Sequence, residues 1–180
     1  MNKIYFVRHG ESEHNKLKRY AGTIDSPLTE LGKKQAEETG KLLKDKNITY
    51  ILSSSLSRAS DTASEIKKVI DLEGSITFET TPLLREVNFG DIQGEEYSDA
   101  KGLNHGITSG TGDSAQELCE RAIKVLELIK SIETPGSILV VGHGSFTSVV
   151  FAVKEAKGVD DLIEYRNQWS FHNGEVKELI

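Results

Sequence analysis

Two histidines in this chain sit where a short apolar run ends. Arg8-His9-Gly10-Glu11 follows Ile4-Tyr5-Phe6-Val7, and Gly142-His143-Gly144 follows Ile138-Leu139-Val140-Val141. A histidine so placed can be a nucleophile, a base, a metal ligand or a loop residue, and residue type alone leaves these readings open. Arg8 adds a planar donor fork suited to phosphate, and Gly10 lets backbone approach a ligand closely. Arg58 opens a helical segment directly after Ser53-Ser54-Ser55. It reads either as an exposed helix residue or as a phosphate ligand beside a helix N-terminus, where unpaired N–H groups and the dipole favour an anion.

Other chemistries find less support. The chain holds five histidines, but His9 and His14 are five apart and no His-Glu-x-x-His occurs, so no metal site is expected. His14, His105 and His172 have no partner pattern and read as surface residues. Neither a Gly-x-x-x-x-Gly-Lys-Ser/Thr loop nor Gly-x-Gly-x-x-Gly is present, which leaves nucleotide and dinucleotide cofactors unsupported. The lone Cys119 falls inside a predicted helix, and Gly142-His143-Gly144-Ser145-Phe146 is not a nucleophile elbow. No cofactor is expected.

Composition sets the frame for these residues. A chain of 180 residues, 37% apolar and 28% charged, can bury the core of one domain spanning 1–180. A net charge of −6 argues against nucleic acid as a partner but not against a small phosphorylated substrate, which needs only a local cationic cluster. The apolar runs are far shorter than the roughly 20 residues a bilayer demands, and the start of the chain lacks a signal-like h-region. With a single cysteine, this predicts a cytoplasmic protein with no membrane partner.

Strand and helix patterns alternate. Strands are predicted over Lys3–Val7, Tyr50–Leu52, Ser75–Thr80 and Ser137–Val141. A first helix should run from an N-cap at Thr29 to about Lys46, with Leu31, Gln35, Ala36, Thr39, Leu42 and Leu43 at helical spacing. A second spans Ser57–Leu72 on Ala59, Ala63, Ile66 and Ile70. Ser114-Ala115-Gln116-Glu117 has the form of a capping box and opens a third. A fourth carries Phe146, Val149, Val150 and Val153. Ser170 to Val176, with Asn173-Gly174 at its centre, suggests a hairpin. This order predicts a three-layer α/β/α sandwich with a largely parallel sheet and an antiparallel C-terminal edge. In such sheets ligands bind beyond the carboxyl ends of the strands, where Arg8-His9, Ser53 to Arg58 and His143 would converge. The glycine-rich stretch at about 87–113 reads as a lid-like excursion over the sheet. A homodimer through the exposed edge or helices is compatible with the pattern.

Taken together, these residues resemble the histidine phosphatase superfamily, in the branch holding cofactor-dependent phosphoglycerate mutases and related phosphatases. The resemblance runs over nearly the whole chain. It is carried by Arg8-His9-Gly10-Glu11-Ser12 with Asn15, by Gly22 and Asp25-Ser26-Pro27-Leu28-Thr29 with Gly32 and Gln35-Ala36, and by Ser53 to Ala59 with Thr62-Ala63. Leu84-Arg85-Glu86 with Gly90 and Gly94, and Val140 to Gly144, complete it. The resemblance implies a phosphoglycerate mutase-like fold. It implies His9 as a nucleophile that becomes phosphohistidine, and Arg8, Arg58 and His143 as a cationic pocket of two guanidinium groups and an imidazolium. It makes Glu86 the group that protonates the leaving oxygen. Gly10, Glu11, Ser12, Asn15, Gly22 and Gly144 would line the substrate site, and no metal would be needed.

The expected activity is hydrolysis of a phosphomonoester on a small metabolite, such as α-ribazole phosphate or a sugar phosphate. Alternatives are a phosphoglycerate mutase, a phosphohistidine protein phosphatase, or a regulatory module that binds phosphate without turnover. Mutases of the family look longer, and a second anionic group on the substrate calls for extra cations. Between 87 and 113 the chain instead places Asp91, Glu95, Glu96, Asp99 and Asp113 against Lys101 alone, although Lys16, Lys18 and Arg19 can add charge from the other side. Tyr97, Leu103 and Ile107 are candidates for contact with an apolar leaving group, or for packing of the lid.

Overall fold

A computed structural model describes residues 3–71, 73–97, 110–155 and 171–179. Five strands form one sheet: β1 (Ile4–Arg8), β2 (Ile48–Ser54), β3 (Thr77–Thr81), β4 (Ser137–Gly142) and β5 (Val176–Glu178). Their spatial order is β3-β2-β4-β1-β5. All neighbours run parallel except β1 and β5, which pair antiparallel through Tyr5 with Glu178 and Val7 with Val176. The expected sandwich with its antiparallel edge is therefore present.

The layers follow from the two-residue period of the strands. Tyr5 and Val7 of β1, Ile51 of β2, and Leu139 and Val141 of β4 face one side. They pack there against helices α2 (Glu30–Leu43) and α3 (Ser57–Ile70), through Ala36, Leu43, Ala59, Ala63 and Ile66. Phe6, Leu52, Ile138 and Val140 face the other side, against α4 (Ala115–Ser131) and α5 (Gly144–Lys154). Leu118, Ala122, Val125, Phe146, Val149 and Val150 fill that second core. Covered on both faces, β4 is buried along its whole length, which is why it reads as an unbroken apolar run. Ser114 does form the capping box with Glu117 that starts α4. A single turn, α1 (Glu13–Lys16), follows β1.

One expectation is corrected, and two are answered only in part by the described residues. On α2 the buried face is Gly32, Ala36, Thr39, Gly40 and Leu43, while Leu31 and Leu42 stand 52% and 70% exposed. The leucine spacing misplaced the face because glycines make the close contacts. A Cβ at Gly32 would overlap the carbonyl oxygen of Glu11, and one at Gly40 would press on Val69. The C-terminal hairpin is not formed by the residues described. Asn173-Gly174 does turn the chain, with Gly174 at φ +75 and the Glu175 N–H donating to His172 O at 3.0 Å. The turn is stitched to β1 instead, through Gly174 N–H to Arg8 O, so that β5 pairs with β1. Ser170 lies outside the described residues. Finally, the stretch after Glu86 begins as packed structure: Val87, Phe89 and Ile92 are buried in the core, with a 3-10 turn over Gly90–Ile92. Residues 98–109, which include Asp99, Lys101, Leu103, His105 and Ile107, lie outside the described residues.

Gly32 gives a direct test of this packing. Ala normally favours a helix over Gly by about 1 kcal/mol. Here the added methyl must displace the backbone that follows His9, and Gly32→Ala should lower the unfolding free energy by roughly 1–3 kcal/mol. Leu42→Lys, on the exposed side of the same helix, should stay within about 0.5 kcal/mol of the parent in denaturant melts. Equal effects would contradict the assigned face.

Candidate active site

Because β4 lies between β1 and β2, the carboxyl ends of these three strands are adjacent. They bring His9, His143 and Ser54 together, and the His9 and His143 rings meet edge to face at 5.1 Å. Both rings are buried. His9 Nδ1 lies 2.6 Å from the Gly10 carbonyl oxygen. A carbonyl can only accept, so Nδ1 carries the hydrogen and Nε2 carries the lone pair. Arg58 Nε–H donates to that Nε2 at 3.1 Å, and a guanidinium can only donate. Burial, reinforced by Arg58 and then Arg8, holds the His9 imidazole well below the usual histidine range. His9 is thus neutral, with its free nitrogen turned to a cation.

Arg58 is itself buried at 1% exposure, and its orientation is imposed by backbone. Nη1 donates to Ile24 O at 2.9 Å and Nη2 to Gly22 O at 2.7 Å. Gly22 sits at φ +51, against the Gln93 side chain, so a side chain there would be strained as well as crowded. Arg8 donates through Nη1 to Phe171 O at 2.6 Å, while its buried Nε has no hydrogen-bond partner among the described residues. His143 Nε2 lies 2.8 Å from Ser54 Oγ, and its buried Nδ1 likewise has no partner among them. Burial first, then Arg58, His9, Arg8 and Arg121, hold His143 well below the usual range. These surroundings favour a neutral imidazole where an imidazolium was expected, and leave the positive charge of the pocket to the two arginines.

Protein carboxylates occupy the helix N-termini beside the pocket. Asp25 Oδ1 accepts from the Ser57 N–H and hydroxyl at 2.8 and 2.7 Å, so the start of α3 is not open to phosphate as its sequence position suggested. Arg58 instead reaches back from that turn to His9. Glu86, buried, takes the start of α5: Oε1 accepts from Phe146 N and Val87 N at 2.8 and 2.9 Å, and Oε2 from Ser145 N at 3.2 Å. Arg121 braces this corner, donating to Arg85 O, pairing with Asp113 at 3.1 Å and stacking over the Phe146 ring.

The remaining sequence candidates divide. Asn15 keeps its amide nitrogen toward Tyr97 Oη, at a long 3.5 Å, because its oxygen is taken by Ser12 and Asn173. The Gly10 amide is held by Thr62 Oγ1, and a Cβ at Gly144 would come within 3.4 Å of the Arg8 guanidinium. Glu11 and Ser12, expected at the substrate, are committed elsewhere: Glu11 accepts from the Thr29 hydroxyl, and Ser12 caps α1. Cys119 is buried, and burial pushes its thiol up, as suits a packing residue. Among the described residues, no group of three or more His, Cys, Asp or Glu is placed to hold a metal, and no helix is long and apolar enough to cross a membrane.

Sequence reasoning gave no role to Ser54, Thr62, Asp25 or Asn173. Asn173 Nδ2 donates to His9 O at 2.9 Å and to Asn15 Oδ1 at 3.2 Å, tying the turn before β5 to the loop after β1. The only available signal was the recurrence of Asp25, Ser54 and Thr62 within the stretches that carried the family resemblance.

A family model described as the histidine phosphatase superfamily (branch 1) matches residues 4–176. The chain belongs to that superfamily. Among curated relatives, the probable phosphoglycerate mutase GpmB of Photorhabdus laumondii is 37% identical over 155 residues, covering 80% of this chain and 70% of the relative. The protein of the same name from Erwinia tasmaniensis is 33% identical over 161 residues, covering 83% and 73%. Among solved structures, a mycobacterial glucosyl-3-phosphoglycerate phosphatase in complex with VO3 superposes with a TM-score of 0.81 at 25% identity, covering 99% of this chain and 92% of that one. The α-ribazole phosphatase of Shigella flexneri, at 22% identity and a TM-score of 0.79, covers 98% and 89% and shares the fold.

Two buried imidazoles held toward the neutral form make the stability of this superfamily member pH-dependent. In the unfolded chain they would protonate near pH 6.5, and in the folded chain only well below it. As pH falls from about 7 the unfolded state gains protons first, so stability is full above that range and declines below it. The limit is about 1.4 kcal/mol per pH unit for each imidazole. Denaturant melts between about pH 7.5 and 5 should show this loss, and His143→Asn should flatten it. An unchanged slope would contradict the buried neutral state.

Proposed function

We propose that this chain is a phosphomonoesterase that hydrolyses a small phosphorylated metabolite through a phosphohistidine on His9. The observation that carries the reading is the fixed tautomer of a neutral His9, whose Nε2 lone pair faces the guanidinium of Arg58. A nucleophile needs that lone pair at working pH, and a phosphoryl group needs cations around its oxygens. Both requirements meet at one nitrogen.

In the first displacement the Arg58 Nε–H gives up Nε2, whose lone pair forms a bond to phosphorus, and the bond from phosphorus to the ester oxygen breaks. The ester enters as its monoanion, and the proton it carries passes by way of Glu86 to the departing oxygen. Its Oε2, with a single long N–H contact against two on Oε1, is the oxygen suited to that exchange. In the second displacement Glu86 takes a proton from water as the water attacks phosphorus, and the bond to Nε2 breaks to release phosphate. Arg8 through Nε, Arg58 through its two uncommitted N–H bonds, His143 through Nδ1 and Asn15 through Nδ2 hold the transferring oxygens. Charge stabilisation by two guanidinium groups asks for no metal ion.

Hydrolysis is favoured over isomerisation because a mutase must also hold a second anionic group. The arginines bordering the lid are engaged: Arg19 with Glu96 and with Gly94 O, Arg121 with Asp113. These pairs also neutralise part of the acidity that the sequence places in the lid. The second reading, a phosphoglycerate mutase, is favoured by the names of the relatives at 33–37% identity. A panel of phosphorylated metabolites, with sugar phosphates, α-ribazole phosphate and 3-phosphoglycerate plus its bisphosphate primer, separates the two. Phosphate release insensitive to chelator is expected, and His9→Ala should lower kcat about a thousandfold or more. Isomerisation outpacing release would make the enzyme a mutase, and activity retained within about tenfold in His9→Ala would remove the nucleophile.

A further inference from the structure

We infer that Ser54 is a positioning residue that fixes His143 as the tautomer protonated on Nδ1. A neutral imidazole has one N–H, and which nitrogen bears it decides whether the other face of the ring donates or accepts. Ser54 Oγ lies 2.8 Å from His143 Nε2 and also accepts the Leu56 N–H at 3.3 Å. Ser54 is fully buried, and among the described residues its hydroxyl proton has no acceptor other than Nε2. Were Nε2 protonated, that hydroxyl would face two donors and its own hydrogen would be buried without a partner, which is costly. With Ser54 donating, Nε2 is the acceptor and the hydrogen lies on Nδ1, the buried atom that has no partner among the described residues.

The consequence concerns substrate binding. A lone pair on Nδ1 would repel a phosphoryl oxygen, whereas an N–H there donates to it. The same tautomer serves His9 differently: Gly10 O places the hydrogen on Nδ1 and leaves Nε2 unprotonated, its lone pair held by the Arg58 Nε–H until it attacks. Two histidines in edge contact are thereby given different tasks, one by a carbonyl that only accepts and the other by a hydroxyl that donates.

This assignment rests on the reading that His143 faces the phosphoryl group, but its test does not need turnover. Nitrogen-15 spectra of the imidazoles at neutral pH, with His143 assigned by comparison with His143→Gln, report the protonated nitrogen directly. Wild-type protein should show His143 protonated on Nδ1. Ser54→Ala should shift His143 toward the Nε2–H form and weaken competitive inhibition by inorganic phosphate about tenfold or more, with Ser54→Cys between the two. A wild-type His143 protonated on Nε2 would overturn the inference even if the variants fail to fold. So would a folded Ser54→Ala protein with an unchanged tautomer. A protein with the expected tautomer but no phosphatase activity would leave Ser54 in place and remove the functional reading instead.

Discussion

The contact between Arg58 Nε and His9 Nε2 sets the terms for everything around it. A guanidinium cannot accept a hydrogen bond, so the contact exists only while His9 is neutral and its Nε2 bare. Burial and the charges of Arg58 and Arg8 maintain that state, against the Gly10 carbonyl, which favours protonation but fixes the one hydrogen on Nδ1. Arg58 in turn is buried and must be paid back for lost hydration. The carbonyls of Gly22 and Ile24 do so, while Asp25 at the start of its helix and Glu86 supply opposite charge. The loop from Gly10 to Ser12 then has to lie flat against α2, which is possible because Gly10 and Gly32 meet without side chains.

The same constraint explains why carboxylates sit on the nearby helix ends. Helix N-termini attract anions, and two of them flank this pocket. With Asp25 on Ser57 and Glu86 on Ser145 and Phe146, those amides are satisfied internally. The positive charge of the pocket is then carried by the side chains of Arg8 and Arg58. Backbone amides hold Glu86 in place, two on Oε1 and one longer contact on Oε2, as the proposed proton exchange requires.

Much of this was legible in the residue pattern. Arg8, His9 and His143 stood at the ends of apolar runs, and parallel strands bring such ends together. Helix α4 was announced by its capping box, and β4 by an unbroken apolar run. Other features were hidden for physical reasons. The buried face of α2 is made by Gly32 and Gly40, and a reading that follows leucines puts Leu31 and Leu42 inside when they are exposed. The direction of the Arg58 side chain depends on two carbonyls far off in the chain. Ser54, Thr62 and Asn173 are ordinary polar residues whose value comes only from what the fold sets beside them. Asn173 reaches the His9 carbonyl across 164 positions of sequence. The two charge pairs that bind lid acids to Arg19 and Arg121 likewise could not be read from a count of charges.

The measurement that bears most directly on this account is the site of covalent phosphorylation. Rapid quenching of the enzyme with a turned-over phosphomonoester under alkaline conditions, followed by mass spectrometry and phosphorus NMR, locates an acid-labile phosphoryl group. The account predicts phosphohistidine at His9, bonded through Nε2, because Nδ1 is held by Gly10. A phosphoryl group on Nδ1, on another residue, or absent throughout turnover would contradict it.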